Sequence, residues 1–447
     1  MNTNQPTTQQ SNRGGSLSTG ILLVASSVLI FLVNAGEFWH PSLAALLFSP
    51  ILLGVGILSF KSCRPVLIVA VCVAVLVALV VGRSASHSRG LPLFDIAEFI
   101  LLAGAIVTSG AMTVNELLGR FLALILVFAF FAMMVDGGKF YTLRNLENIL
   151  RQSAVYGTAG LGMTMIIIAA GIDLSAGSLI ALSVVVVAWV MNINVTGPDG
   201  QMVAFAKLHP TLAPLAAMAA GILTSTLAGL ANGAMVVGLR LVPFIVTLGT
   251  MGIIRGLAKT IANERDIYPP EECWINRLME PTLSSSTHSW QVLPTGVWIL
   301  LAGVLISAFV LHYTRLGRHI FAVGSNEETA RLCGVSVGRT KLFVYMAGGF
   351  FCGVAGLMQF SFISGIGQPT SAVTYELFVI AAVVIGGASF SGGEGSVLGT
   401  LIGALIITIL YMGGQQMGWP KPVQEMVIGG IIIAAVALDR LRHRKVA

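Results

Sequence analysis

Charged residues are scarce in this sequence. Aspartate, glutamate, lysine and arginine make up 10% of its 447 residues, whereas soluble domains carry about 25%. Hydrophobic residues make up 55%, and the mean hydropathy is +0.88, so a soluble fold is excluded. Runs of about 20 apolar residues, the length that crosses a bilayer as a helix, recur between Gly20 and Asp439. They predict an all-α polytopic membrane protein.

The motifs of the common catalytic sites are also missing. The sequence contains no Gly-x-x-x-x-Gly-Lys-Ser/Thr nucleotide loop, no His-Glu-x-x-His zinc site and no Gly-x-Ser-x-Gly nucleophile elbow. Its seven histidines are scattered and its five cysteines include no Cys-x-x-Cys pair, so neither a metal site nor a disulfide framework is predicted. We expect no enzyme activity and no bound cofactor, and if ATP drives this protein, another chain hydrolyses it.

Positive charge is confined to short loops. The formal net charge is +6, but the basic residues separate apolar runs instead of forming one soluble face, so no nucleic-acid partner is predicted. The Lys/Arg bias places the loop 315–341, the tail after Asp439 and the N-terminus in the cytoplasm, and the loop 263–294 outside. Three basic residues do not fit this alternation: Lys139, Arg144 and Arg151.

The apolar runs divide the chain into four regions. Residues 1–17 are predicted to be a disordered cytoplasmic tail, 18–117 an extra N-terminal transmembrane unit, 118–440 the core and 441–447 a cytoplasmic C-terminal tail. The four predicted N-terminal spans are 18–35, 41–60, 65–82 and 94–112. The ten predicted core spans are 120–136, 152–170, 173–192, 212–238, 243–262, 295–312, 342–363, 374–390, 396–415 and 423–439.

Asp173 lies in the segment GIDLSAGS, between two predicted spans. A carboxylate at membrane depth is costly, so it is expected to face protein or water. With Ser175 and Ser178, it either lines a polar translocation pathway at a break between helices or caps the start of the next helix. Both interpretations stay open, since one carboxylate can do both.

Arg255 is placed near the middle of a span that starts at Pro243, about 18 Å along the helix. It is predicted either to contact substrate in the pathway or, as the favoured alternative, to pair with an acid or extend to the membrane surface with Lys259. Glu376 is interpreted as a carboxylate that stabilises a helix start, and the role of Glu394 is left open.

Small residues mark two further patterns. A faint internal similarity links Ile166–Leu182 to Val383–Leu401, as in transporters with duplicated halves. Glycines four residues apart predict close packing of helix backbones. They are Gly252 with Gly256, Gly349 with Gly353, and Gly395 with Gly399 and Gly403.

The segment RLGRHIFAVGSNEETARLCGVSVGRTKLFVY, residues 315–345, is the longest basic polar passage in the second half of the chain. Ser325 followed by Glu328 has the spacing of a capping box, and Gly334 provides a stop, so NEETARLC is predicted to form a helix of about two turns. A short capped helix in a basic loop is typical of a surface that a soluble partner contacts. An ordinary solvated loop helix is the alternative.

Four segments in a fixed order resemble the membrane subunits of bacterial sugar ABC importers, in particular ribose-type permeases. They are GMTMIIIAAGIDLSAGSLIALS (162–183), LANGAMVVGLRLVPFIVTLGTMGIIRGLA (230–258), residues 315–345 quoted above, and AVVIGGASFSGGEGSVLGTLIGAL (382–405). The resemblance covers about Leu118 to Asp439 and identifies 118–440 as an ABC permease domain. Typical members begin near the equivalent of Leu118, so the N-terminal unit departs from the family and is expected to be a regulatory or lipid-facing addition.

The resemblance implies a type II ABC importer fold in the bacterial inner membrane. It also implies two cytoplasmic ATPase subunits that bind ATP and magnesium, a periplasmic sugar-binding protein, and a second permease copy or a paralogue. The helix between Ser325 and Gly334 would be the coupling element that contacts the ATPase, with the contact residues Asn326, Glu327, Glu328 and Arg331. A monosaccharide would cross by alternating access near Asp173, Ser175, Ser178 and Arg255.

Two other classes of function remain as alternatives. In an ion-coupled secondary sugar transporter, Asp173 would be the ion or proton site, and transport would need an ion gradient instead of ATP. A polytopic membrane enzyme or a channel is the other, but the sequence contains no catalytic constellation that would support an enzyme.

Overall fold

The computed structural model describes residues 116–196, 199, 201–270, 273–282 and 293–443. Several parts of the sequence analysis lie outside the described residues: the predicted tail 1–17, the four predicted spans between residues 18 and 112, the cysteines Cys63 and Cys72, and residues 444–447 of the predicted C-terminal tail. The chain divides into two compact units, Met1–Ala123 and Leu124–Ala447. The second unit contains nearly all of the structure described below.

The described residues are helical apart from one small antiparallel sheet. Its strands are β1 (Asn194–Thr196) and β2 (Met202–Ala204), with Val195 paired to Val203. The α-helices are α1 (Glu116–Met134), α2 (Leu143–Ile168), α3 (Ala176–Met191), α4 (Phe205–Leu208), α5 (Leu212–Gly238), α6 (Pro243–Ile261), α7 (Thr295–Tyr313), α8 (Arg315–Ser325), α9 (Glu327–Leu332), α10 (Val337–Phe362), α11 (Tyr375–Ile385), α12 (Val397–Gln416) and α13 (Lys421–His443). Two 3-10 helices cover Asp136–Tyr141 and Trp274–Arg277.

A helix lies at each of the ten predicted core spans, which fits a polytopic membrane protein. Among the described residues, five helices are long and apolar enough to cross a bilayer: α5, α6, α7, α10 and α12. Two predicted spans were too long, because α3 has 16 residues and α11 only 11. At 1.5 Å per residue, α11 extends about 16 Å, half the thickness of a bilayer core. The number of complete spans stays a prediction.

The long helices run in both directions through the unit, so their ends collect at two levels. Antiparallel α5 and α10 illustrate this, since Gly233 near the end of α5 contacts Leu342 near the start of α10. We call the level that carries α8 and α9 the α9 end, and the level that carries β1 and β2 the hairpin end. The chain leaves the α9 end in α6, α10 and α12 and returns to it in α2, α5, α7 and α11.

Helix α10 forms the centre of the described unit and packs against α2, α3 and α5. A Cβ atom on Gly349 would lie 2.3 Å from the Ser225 carbonyl oxygen, so glycine is required for this approach. The predicted close packing at Gly349 and Gly353 is confirmed. The prediction of close helix packing at Gly252 and Gly256 is wrong within the described residues. No neighbouring atom among them lies within 4 Å of a Cβ added to either glycine.

Candidate functional site

The polar segment around Asp173 is a break between two helices. Helix α2 ends at Ile168 and α3 begins at Ala176. Ala170 has a left-handed backbone (φ 58°), and the Gly171 N–H donates to the Ile166 carbonyl at 2.9 Å, which closes the last turn of α2. We call residues 168–175, from the last residue of α2 to the N-cap of α3, the first break.

Asp173 organises the start of α3. Its Oδ1 atom accepts hydrogen bonds from the Ser175 N–H at 2.8 Å and from the Ser175 hydroxyl at 2.6 Å. The Asn232 side chain donates to Ser175 Oγ at 2.9 Å, and all three residues are at most 1% exposed. The N-cap position belongs to Ser175, so Asp173 holds the turn before the cap. Asn232 was missed, although a lone amide in an apolar span is a signal of a buried polar partner.

Side chains from two other helices satisfy the backbone of the first break. The Thr247 hydroxyl of α6 donates to the Ile172 carbonyl at 3.2 Å, and the Tyr345 hydroxyl of α10 lies 3.4 Å from the same oxygen. Ser178, the second residue beyond the start of α3, donates to the Met251 carbonyl of α6 at 3.0 Å. Irregular backbone at this depth is tolerated because protein groups replace the missing helical hydrogen bonds.

A second break, residues 386–396, separates α11 from α12. It occupies the place that the internal similarity to residues 166–182 predicted, since both regions are a helix, a glycine-containing break and a second helix. The two breaks touch, because the Gly393 N–H donates to the Ile168 carbonyl at 2.8 Å. Glu394 lies in this second break, where its carbonyl oxygen accepts from the Ser389 N–H.

Helix α8 was not predicted, and its last turn meets both breaks. A Cβ atom on Gly324 would lie 1.6 Å from the Ile168 carbonyl oxygen and 2.7 Å from the Gly393 nitrogen. The backbones of α8, the first break and the second break therefore meet at one point. We call Gly324, Ile168 and Gly393 the backbone junction.

Helix α9 follows α8 directly, with one correction to its predicted start. Ser325 is the last residue of α8, so the capping box at Ser325 and Glu328 is wrong. Asn326 is the N-cap instead, with extended backbone and Oδ1 accepting from the Thr329 N–H at 2.9 Å. The predicted stop is confirmed, since Gly334 has φ +83° and the Val335 N–H donates to the Ala330 carbonyl.

The residues predicted to contact a partner divide into two groups. Asn326 caps α9, and Glu327 is paired with Lys341 of α10 at 2.6 Å and with Arg331 at 3.4 Å. Glu328 and Arg331 face outward, with 70% of the Arg331 side chain exposed. Sequence reasoning missed Leu332, which is 88% exposed beside them. Leu332 extends the outward surface that Glu328 and Arg331 form.

Arg255 lies away from the first break and pairs with an acid. Its Nη2 atom is 3.7 Å from Oε2 of Glu376, and the two side chains are 22% and 11% exposed. Glu376 also occupies the first turn of α11, where the sequence analysis placed it. The structure therefore brings Asp173, Ser175 and Asn232 into one hydrogen-bonded group and Arg255 and Glu376 into another.

Comparisons with known proteins point to membrane permeases. The family described as "Branched-chain amino acid transport system / permease component" matches residues 145–436. The chain is 35% identical to the ribose import permease protein RbsC of Escherichia coli K12 over 311 residues, 68% of this chain and 88% of that protein. It is 34% identical over 323 residues to the D-allose transport system permease protein AlsC of the same organism, covering 72% and 91% of the two chains. It is 32% identical over 315 residues to the fructose import permease protein FrcC of Rhizobium meliloti, covering 70% and 82%. No solved structure matches the chain significantly.

Proposed function

We propose that this chain, which belongs to the permease family of bacterial sugar ABC importers, carries a monosaccharide across the inner membrane. The family description names branched-chain amino acids, but the three relatives above are ribose, D-allose and fructose permeases. The proposed cargo is therefore ribose or a related sugar. The chain is a transport subunit, and ATP with magnesium binds to a partner ATPase.

The α9 end is proposed to face the cytoplasm, with both termini on that side. Five basic residues support this orientation, since positive charge in short loops stays in the cytoplasm. They lie on α8, on α9 and at the start of α10: Arg315, Arg318, Arg331, Arg339 and Lys341. A periplasmic sugar-binding protein would then dock on the hairpin end.

Helix α9 is proposed to be the coupling helix that contacts the ATPase. Glu328, Arg331 and Leu332 form its outward surface, while the buried Ala330 faces the permease. Leucine and arginine side chains at this exposure can insert into a cleft and lose their water on binding. Asn326 and Glu327 would support the contact indirectly, by fixing the start of α9 and its attachment to Lys341.

The backbone junction carries the mechanical part of the proposal. A movement of α9 displaces Gly324, and Gly324 abuts the Ile168 carbonyl and the Gly393 N–H without an intervening side chain. Packed backbones transmit displacement because the contacts have no rotamers that could absorb it. The junction thus links ATPase closure to both breaks, and through the first break to Asp173.

Alternating access follows from opening and closing these breaks. Asp173, Ser175 and Ser178 are buried, with 1%, 0% and 0% exposure, which supports the proposal that this conformation is closed to the sugar. We propose that a rearrangement of the first break exposes these groups to the sugar, because hydroxyls of the sugar can replace the hydrogen bonds that Ser175 makes with Asn232 and Ser178 makes with Met251. Tight sugar recognition belongs to the binding protein.

A second permease copy is proposed to complete the pathway. The face of α6 that carries Gly252 and Gly256 has no atom within 4 Å of an added Cβ among the described residues. That face also carries exposed apolar side chains, including Ile253 and Leu257. A homodimer would place two such faces opposite each other, and a paralogue is the alternative partner.

The test is to purify the chain from its host in mild detergent, identify co-purifying proteins, and reconstitute the complex in liposomes. We expect an ABC ATPase to co-purify, and uptake of labelled ribose, allose or fructose to require internal ATP and external binding protein. Ionophores that collapse ion gradients should leave uptake unchanged. Uptake that needs a gradient, needs no ATP and is lost in Asp173→Asn would establish the secondary transporter instead.

A further inference from the structure

A second polar group lies where three helices meet. Glu376, in the first turn of α11, is 9% exposed and approaches Gly177 at the start of α3. Arg255 approaches it from α6, about 18 Å along that helix from Pro243. The group therefore lies near the middle of the bundle, where the short helices α3 and α11 both begin.

Three atoms of the two charged side chains are not satisfied. Oε2 of Glu376 and the Nε and Nη2 atoms of Arg255 are buried, and no hydrogen-bond partner for them exists among the described residues. The 3.7 Å between Nη2 and Oε2 is an ion-pair distance but too long for a hydrogen bond. Buried charged groups without such bonds are costly, and each unmade bond leaves part of the desolvation penalty uncompensated.

The surrounding backbone is built around the carboxylate. A Cβ atom on Gly177 would lie 2.1 Å from Oε2 of Glu376, so any side chain there would displace the acid. The segment that leads into α11 has left-handed backbone at Ala372 (φ 59°) and Thr374 (φ 71°). A β-branched residue in that conformation is strained, and such strain persists where the surroundings hold it.

The group borders the open face of α6. Gly252 and Gly256 flank Arg255 on the helix surface, and no atom of the described residues lies within 4 Å of a Cβ added to either. The Arg255 side chain retains 22% of its exposure. A small polar ligand that moves along this face meets the guanidinium first and the carboxylate behind it.

We propose that Arg255 and Glu376 form a transient binding site for two or more hydroxyl groups of the sugar during its passage; this inference rests on the proposed function. A hydroxyl oxygen placed about 2.8 Å from both Nη2 and Oε2 accepts a hydrogen bond from the guanidinium and donates one to the carboxylate. A neighbouring hydroxyl accepts from Nε. The ligand thus satisfies atoms that the empty protein leaves without partners.

The chemistry of the pair selects an uncharged polyhydroxyl ligand. The two opposite charges cancel, so an anion loses at Glu376 what it gains at Arg255, and a cation loses at Arg255 what it gains at Glu376. A hydroxyl both donates and accepts, which matches a donor and an acceptor 3.7 Å apart. Oε2 of Glu376 and the Nε and Nη2 atoms of Arg255 are shielded from solvent in this conformation. The ligand therefore favours a conformation in which α6 and α11 move apart, as alternating access requires.

The alternative role is a purely structural ion pair, and a double variant separates the two. Removing one partner of a structural pair leaves a buried unpaired charge, whereas replacing both by apolar residues is often neutral. We would reconstitute the full importer with Arg255→Met, Glu376→Leu, and both changes together. Lys259→Met, an exposed lysine one turn along α6, is the control for loss of charge. Uptake of labelled ribose, allose and fructose and ATP hydrolysis stimulated by loaded binding protein would be measured in parallel.

We expect each single variant and the double variant to lose at least about tenfold in sugar uptake, the value of one hydrogen bond to a charged group, while stimulated ATP hydrolysis continues. Recovery of uptake in the double variant, or normal uptake in both single variants, would overturn the site. If the wild type transports only with an ion gradient, the proposed function fails. The same comparison of single and double variants under that gradient still decides the role of the pair.

Glu376→Gln, which keeps the shape of the side chain, provides a second test that does not depend on folding of the double variant. For each sugar and each of its monodeoxy analogues, uptake by the wild type is divided by uptake by the variant. The preference of the binding protein cancels in this ratio. The site predicts that the ratio falls towards one for the analogue that lacks the bound hydroxyl, whereas a structural role predicts the same ratio for every sugar.

Discussion

Gly324→Ala is expected to separate ATP hydrolysis from sugar transport. The added Cβ would lie 1.6 Å from the Ile168 carbonyl oxygen, whereas real Cβ contacts are essentially never below 3.0 Å. The end of α8 must therefore move by at least 1.4 Å relative to the first break. The second obstacle, the Gly393 nitrogen at 2.7 Å, is also backbone, so no side-chain rotation relieves the clash.

The energetic cost of this overlap sets the size of the effect. Overpacking of this kind costs about 1–3 kcal/mol. Applied to the one conformation in which α8 abuts both breaks, that cost shifts the conformational equilibrium about 5- to 150-fold. Because the clash leaves the outward surface of α9 unchanged, the ATPase should still bind and hydrolyse ATP. We expect the number of sugars imported per ATP to fall by at least about fivefold.

The assay is sugar uptake and ATP hydrolysis on the same proteoliposomes. Gly238→Ala is the matched control, since it is the last residue of α5 at the same end of the bundle and no atom of the described residues lies within 4 Å of its added Cβ. Size-exclusion profiles and thermal unfolding in detergent establish that both variants fold. A wild-type ratio of transport to hydrolysis in folded Gly324→Ala would refute the backbone junction as the coupling route.

Three further results are expected. Leu332→Asp should weaken ATPase binding about tenfold or more in a detergent binding assay. Leu239, which is 64% exposed at the same end, provides the control Leu239→Asp, and this variant should bind the ATPase normally. Equal effects of the two substitutions would contradict docking through α9. Asp173→Ala should lower the free energy of unfolding by about 1–3 kcal/mol, because the Ser175 N–H and hydroxyl lose their hydrogen-bond acceptor. Asp173→Asn keeps an acceptor oxygen and should lower it less. Equal losses in the two variants would show that the acceptor does not determine the stability. Lys341→Met should change stability by no more than about 1 kcal/mol, since the pair with Glu327 is partly exposed, yet reduce coupled transport; unchanged transport would exclude this attachment of α9.

Helix positions in the core were predictable because they depend on local composition. The span predicted at 212–238 coincides with α5 (Leu212–Gly238), and that predicted at 243–262 differs from α6 (Pro243–Ile261) by one residue. Long apolar runs bounded by polar or proline residues define such helices without reference to the rest of the chain. Gly334 was predicted as a stop for the same reason, since a left-handed residue after a helix is a local requirement.

Errors arose where apolar sequence continues past the end of a helix. The span predicted at 374–390 joins α11 to the beginning of the second break, because the segment through Gly386 and Gly387 remains apolar. The helix ends there because Gly387 adopts a left-handed backbone (φ 87°), which composition does not require. The cap of α9 was misplaced by one residue for a related reason. Ser325 and Asn326 are both good caps, and the choice depends on how far α8 extends.

Contacts between distant parts of the sequence were not predictable. Ser175 and Arg255 were singled out as polar residues in apolar surroundings, but their partners Asn232 and Glu376 come from other helices. A single sequence contains no information on which helices become neighbours, so Glu376 was interpreted from its own helix alone. The interpretation of Glu376 as a carboxylate at a helix start agrees with its position in α11. It did not include the contact with Arg255, on which the proposed role of Glu376 depends.

The short helices α3 and α11 connect two polar groups to the proposed coupling helix. Helices α3 and α11 both begin inside the bundle and run to opposite ends. Helix α11 runs to the α9 end directly, whereas α3 is joined to that end through the first break. The first break carries Asp173, and the second break ends α11, which carries Glu376 at its other end. Since Gly324 touches both breaks, we expect a displacement of α8 to move the start of α3 and to shift α11 along its axis. Arg255 lies on α6, which is bonded to the first break through Thr247 and to α3 through the Met251 carbonyl. We expect Arg255 to move with α3 while Glu376 moves with α11, so the gap between the two side chains should change with every cycle of the partner ATPase.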